Sequence, residues 1–170
     1  MGGGTWSPAS FKSYSTFKGR TVSLEGVAST QNSYTARSLD PALDPKNVIR
    51  ECCDSKEHPN TIPVILALDV TGSMGGACEK TVASLNVIMT NLYKKYNDIE
   101  FLVMGIGDLA YDAAPIQVSQ FESDIRIAEQ LDKIYLEKGG GGNSYESYTA
   151  AWYFGLNHTK LDCWKREQKG

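Results

Sequence analysis

The run Val64-Ile65-Leu66-Ala67-Leu68-Asp69-Val70-Thr71-Gly72-Ser73-Met74 passes at Asp69 from unbroken apolar residues into a polar turn. Its first half shows no alternation, the pattern of a strand covered on both faces, as in a parallel sheet. After the turn, Val82, Leu85, Met89, Leu92 and Tyr96 recur at steps of three and four, which predicts an amphipathic helix. A second apolar run, Phe101-Leu102-Val103-Met104-Gly105-Ile106-Gly107, follows it. Strand, helix and strand in that order predict a right-handed parallel crossover, the core of an α/β fold.

Downstream, Pro115 precedes Ile116-Gln117-Val118-Ser119, a short alternating piece that fits an edge strand returning antiparallel to its predecessor. Ser123 is placed to cap a helix carrying Ile127, Leu131 and Ile134 on one face, with the glycines 139–142 ending it. A last helix starts near Tyr145 and sets Tyr148, Trp152, Leu156 and Thr159 on one stripe, expected to be core. Upstream, residues 44–51 read as a short helix with Asp44 as cap and Pro45 at its first position. Residues 1–45 are rich in Ser, Thr and Gly and show no sustained period, so an extended N-terminal arm is expected ahead of a domain spanning 46–170. The arm's aromatics, Trp6, Phe11, Tyr14, Phe17 and Tyr34, argue that it lies across the domain or a neighbour.

A chain of 170 residues with 41% hydrophobic content can build one ordinary core. Its 17 basic and 20 acidic residues, net charge -3, lack the positive surplus of most nucleic-acid binders, so no nucleic-acid partner is expected. No apolar run reaches the roughly 18 residues of a membrane span, and the Gly-rich start has neither a basic region before an apolar stretch nor the myristoylation pattern. No membrane association is expected. Cys52, Cys53, Cys78 and Cys163 match neither a zinc site nor a disulfide framework, which suits a reduced, cytoplasmic protein.

The turn Asp69-Val70-Thr71-Gly72-Ser73 lies where a buried strand hands over to a helix, the place where open α/β sheets bind ligands. One carboxylate and two hydroxyls at alternate positions can converge on a hard cation. Mg²⁺, or Mn²⁺, suits such oxygen ligands, and magnesium normally keeps several waters, which leaves room for a ligand from outside. Asp108, directly after the second strand, leaves the sheet at the same end and is a further candidate. The blander alternatives are a helix-capping loop for Asp69 to Ser73 and a turn aspartate for Asp108.

Strand-Asp69-Val70-Thr71-Gly72-Ser73-Met74 resembles the first element of the metal-ion-dependent adhesion site of von Willebrand factor A domains, with Thr71 where Ser is commoner. The resemblance covers about residues 61–170. It implies a Rossmann-like open sheet with flanking helices and strand order 3-2-1-4-5-6. It also implies a metal held by a Thr from a second loop and an Asp from a third, and a partner protein whose acidic side chain takes the open position. The second loop departs from the family's Gly-Gly-Thr: here it reads Gly141-Gly142-Asn143-Ser144-Tyr145-Glu146, so Asn143, Ser144 or Glu146 must supply the oxygen. Only strands 1 to 3 of the family's order are found before Gly170. The fold is therefore expected to be incomplete at its C-terminus, with the free edge of strand 1 left for a continuation of the chain, a partner, the arm or an oligomer.

An enzyme reading finds less support. Ser73 lacks the first Gly of Gly-x-Ser-x-Gly, and neither His58 nor His158 has the spacing of a base. A phosphotransferase with Asp69 as nucleophile would want an Asp where Thr71 stands. No catalytic residue is assigned. The competing class is a structural or assembly protein that docks through its N-terminal arm.

Overall fold

An apolar run makes a central strand where both faces of its pleat are covered, as they are from Phe101 to Met104. The computed structural model describes residues 3–23, 26, 27, 29, 31–137 and 146–167. In chain order they form α1 (Pro8–Phe17), β1 (Val22–Ser23), β2 (Gly26–Val27), a 3-10 turn (Pro41–Leu43), β3 (Arg50–Cys52) and β4 (Ile62–Asp69). A second 3-10 turn (Gly72–Met74) leads into α2 (Gly75–Tyr93), followed by β5 (Ile99–Ile106), β6 (Ile116–Glu122), α3 (Arg126–Leu131), α4 (Tyr148–Asn157), β7 (Thr159–Leu161) and α5 (Asp162–Glu167).

The main sheet has the order β4-β5-β6. β4 and β5 run parallel in register from Ile62 opposite Ile99 to Asp69 opposite Ile106. β6 returns antiparallel to β5, with a register irregularity between Leu102 and Met104. β5 is buried at every residue, as a central strand must be. β1 pairs with β2 antiparallel, and β3 with β7 parallel, as two separate small sheets. The chain is thus mixed α/β with open sheets and flanking helices. No helix among the described residues is long and apolar enough to cross a membrane.

The pleat divides the core in two. On one face Phe101 and Val103 of β5 meet Val82, Leu85 and Met89 of α2 and Ile127 and Leu131 of α3. On the other, Leu102, Met104 and Ile106 meet Val118, Phe121 and, from α4, Ala151 and Phe154. Each such large side chain contributes about 1.5–3 kcal/mol by leaving water. The stripe expected on α2 is therefore inward through Leu92, whereas Tyr96 lies past the helix end and is half exposed.

Several expectations are corrected. The N-terminal segment is not extended: Ser7 caps α1, accepting from Ser10 N at 3.4 Å, Pro8 opens its first turn, and Trp6 and Phe11 sit in the main core with rings 5.4 Å apart. Residues 44–51 form no helix. Asp44 turns its carboxylate onto Lys46 N at 3.0 Å, Asn47 takes a left-handed φ of 56°, and Arg50 begins a strand paired to β7. Ser123 does not cap α3; its hydroxyl donates to Gly4 O at 2.6 Å, and Asp124 accepts from Arg126 N instead.

The largest correction concerns α4 and β4. α4 buries Ala151 and Phe154, while the aromatic stripe expected in the core faces out: Trp152 is 81% exposed and Leu156 67%. Thr159 belongs to β7. In consequence β4 is not covered on both faces, and Ile65 remains 40% exposed beside α4.

Candidate functional site

Asp69 is the last residue of β4, and one further rung, Val70 N to Ile106 O at 2.9 Å, holds the chain to β5 before it turns. An Asp at such a point can close the turn with its own side chain. Here Thr71 donates to Asp69 Oδ1 twice, from its backbone N at 3.0 Å and from its hydroxyl at 2.5 Å. Tyr148, at the start of α4, donates its hydroxyl to Asp69 Oδ2 at 2.7 Å. The Cys78 thiol reaches the Asp69 carbonyl at 3.3 Å. Burial by itself would raise the Asp69 carboxyl, but the Thr71 and Tyr148 hydrogen bonds together outweigh it and hold the group below its ordinary value. The same contact and burial push the Tyr148 hydroxyl up to about 12.

The neighbouring strand end is also acidic. Asp108 follows β5 and is buried; its Oδ1 accepts from Ala110 N at 2.8 Å, and its Oδ2 is buried with no hydrogen-bond partner among the described residues. Asp112 accepts from Asp108 N at 2.7 Å and lies so close to Gly107 that any Cβ there would collide with its carboxylate. Ser147 ties the start of α4 to the same place, donating from N to Gly107 O at 3.0 Å and accepting from Leu109 N at 3.0 Å. Glu146, just before it, keeps Oε2 buried with no hydrogen-bond partner among the described residues. Its carboxyl is raised first by burial and then by the charges of Asp69, Asp112 and Asp108.

Of the residues singled out from the sequence, Asp69 and Thr71 are in direct contact. Ser73 shares their loop but is exposed. Asp108 and Glu146 stand at the same end of the sheet, close enough for Asp69, Asp108 and Glu146 to interact electrostatically. Asn143 and Ser144 lie outside the described residues. The segments on either side of them do reach this end: Glu137 N donates to Val70 O at 2.9 Å, and Tyr148 bonds to Asp69.

Tyr148 and Asp112 were not anticipated. The helical spacing of Tyr148 to Trp152 and Leu156 predicts a core position for it instead. Asp112 carries no motif; its position four residues after Asp108 is the only signal. Among the described residues no group of three or more His, Cys, Asp or Glu side chains is arranged to hold a metal ion. A cation at this end would therefore have to draw on hydroxyl oxygens, those of Thr71 and Ser73, beside the carboxylates. Comparison with protein-family models, with curated proteins and with solved structures gives no match to this chain.

Proposed function

We propose that this chain is a von Willebrand factor A-type binding module that holds Mg²⁺ or Mn²⁺ at the carboxyl end of β4 and uses it to engage another protein. The observation that carries the reading is the Asp69–Thr71 pair, a carboxylate and a hydroxyl locked together at a strand-to-helix turn, beside two buried carboxylate oxygens that have no hydrogen-bond partner among the described residues. Buried acceptors left unpaired are costly, and clustered carboxylates repel. A hard divalent cation relieves both, and it takes oxygen ligands of this kind.

The fit is supported at Asp69 and Thr71, with Ser73 in the same loop and Asp108 or Glu146 at the same end of the sheet to contribute directly or through water. When bound, the ion would offer an open position to an acidic side chain of a partner. This chain's own residues orient that position: Thr71 fixes one Asp69 oxygen, and Tyr148 occupies the other until it is needed. The sheet order β4-β5-β6, with β6 antiparallel, agrees with the first three strands of that family's order.

Calorimetric titration of Mg²⁺ and Mn²⁺ into the chain tests the first half of the reading. Binding that disappears in Asp69→Ala is the expected result, and unchanged affinity in that variant overturns it. Capture of a protein from the native cell that is lost in chelator tests the second half. Capture that ignores chelator overturns the metal's role in binding and favours an assembly role instead.

A further inference from the structure

β6 lies on the side of the main sheet away from β4, and side chains close its outer edge. Arg50 Nη2 donates to Val118 O at 2.7 Å, and Gln130 Oε1 accepts from Gln120 N at 2.6 Å. The same Nη2 also donates to Ala42 O, in the first 3-10 turn, at 2.7 Å.

These bonds account for the position of Arg50 but not for its charge. The residue is only 5% exposed, and a guanidinium stays protonated in any protein. A buried charge is costly unless an opposite charge stands beside it, and a carbonyl oxygen brings only part of one. Among the described residues no carboxylate is ion-paired with Arg50. Glu51, its neighbour in β3, is held by Lys160 at 2.8 Å, and Glu122 and Asp124 are held by Arg126 at 3.2 and 2.8 Å. Arg50 Nε is buried with no hydrogen-bond partner among the described residues, and burial lowers the group below its ordinary value.

Arg50 forms part of the wall of a cavity of about 330 Å³ between the 3-10 turn and α3. The buried Leu43 and the half-buried Val48 give that wall an apolar side, and the exposed Gln120 and Lys133 stand where it meets solvent. Three cations line it, Arg50, Arg126 and Lys133, against two anions, Glu122 and Glu129. Arg126 and Glu122 satisfy each other, and the exposed Lys133 and Glu129 balance in number. The charge left over is the buried one.

We propose that this cavity binds a small carboxylic acid, its carboxylate against the Arg50 guanidinium and its short apolar body against Leu43 and Val48. A carboxylate brings the single negative charge that is missing, whereas a phosphate group brings nearly two. The volume falls at the small end of the roughly 300–1,000 Å³ of small-molecule sites. With Nη2 committed to two carbonyls the guanidinium is held in one orientation before any ligand arrives, which lowers the cost of binding. Nη1 and Nε are the donors left over. Glu122 lies opposite Phe101 near the start of β5, whereas Asp69 lies opposite Ile106 at its end. The cavity and the proposed metal position are thus at opposite ends of the strands, and neither needs the other.

Butyrate titrated into the full chain at constant ionic strength, followed through the arginine Nε–H resonances, tests this. One such signal should shift and saturate, chloride should not move it, and it should be the signal missing from Arg50→Lys. Saturable binding should weaken at least tenfold in that variant, whose point charge lacks the planar fork. Should Arg50→Lys fail to fold, Lys133→Glu, an exposed change, should weaken binding at least threefold. The absence of any saturating shift in the wild-type chain would overturn the proposal, as would a shift belonging to another arginine. Saturation by inorganic phosphate but not by butyrate would overturn the assignment to a carboxylic acid. Affinity unchanged in both variants would place the acid elsewhere and overturn it equally.

Discussion

At Asp69 two acceptor oxygens serve two different neighbours, and this division makes the site testable one atom at a time. Tyr148 holds Oδ2 from α4, so Tyr148→Phe should free that oxygen and tighten Mn²⁺ binding by about 1 kcal/mol, roughly fivefold, the scale of one hydrogen bond. Weaker binding in that variant would show that the hydroxyl assists the ion. Folding lowers the Asp69 carboxyl, so the unfolded chain takes up that proton more readily. The stability this contributes is complete above the ordinary value of 3.8 and is lost as pH falls through the lowered one. Urea midpoints of wild type and Asp69→Asn should accordingly converge only as the pH falls below about 3.8. Glu146 has the opposite sign. Its carboxyl is raised, so protons compete for it earlier, and metal affinity should fall on acidification in a way that Glu146→Gln flattens. The sequence made Asp69 and Thr71 legible because a strand-end motif confines both to one turn. It could not reveal Tyr148 or Asp112, whose roles arise from where α4 and the turn after β5 come to rest.

Elements were legible where burial and periodicity coincide. β5, buried throughout, and α2, with its inward stripe, follow from pattern alone, and Leu85→Ala should cost about 2–5 kcal/mol in a denaturant titration, as deletion of a fully buried leucine does. A loss below about 1 kcal/mol would mean that α2 packs less closely than its burial implies. Two nearly identical start signals had opposite outcomes. Ser7-Pro8 opens a helix because Phe11 finds the core one turn on and Ser15 is buried beside it. Asp44-Pro45 does not, because Asn47 turns left-handed and the Arg50 guanidinium is drawn to the carbonyls of Ala42 and Val118, each at 2.7 Å. Local propensity, with the β-branched Val48 and Ile49 after Asn47, and tertiary partners both favour that outcome. Tertiary partners also decide α4, whose strongest apolar stripe faces out, whereas the small residue Ala151 and the single ring Phe154 are what the sheet accepts.

Across the whole molecule, the N-terminal segment is built into the main domain rather than laid over it. Arg20 pairs with Asp132 at 2.6 Å with both side chains almost fully buried, and Tyr14 donates to the same carboxylate at 2.7 Å. Burial, ahead of the Asp132 contact, raises the Tyr14 hydroxyl far above its ordinary value. At the other end of the segment, the Gly4 carbonyl accepts from Ser123 and lies 2.8 Å from the His58 ring. Trp6 between them is core. A buried ion pair contributes little beyond what a well-packed apolar pair would, yet removing one member strands the other charge and costs about 3–5 kcal/mol. Arg20→Ala should therefore destabilise the chain by that amount, and Arg20→Ala with Asp132→Ala by clearly less than the two single losses combined. Because Asp132 follows α3 directly and Trp6 touches the α2 face, the segment has no core of its own to unfold around. Thermal unfolding of Arg20→Ala should remain one transition at a lower midpoint, read alike by tryptophan fluorescence and far-UV circular dichroism. An early, separate fluorescence transition with the helical signal intact would show instead that residues 3–20 dock as an independent arm on a domain that stands without them.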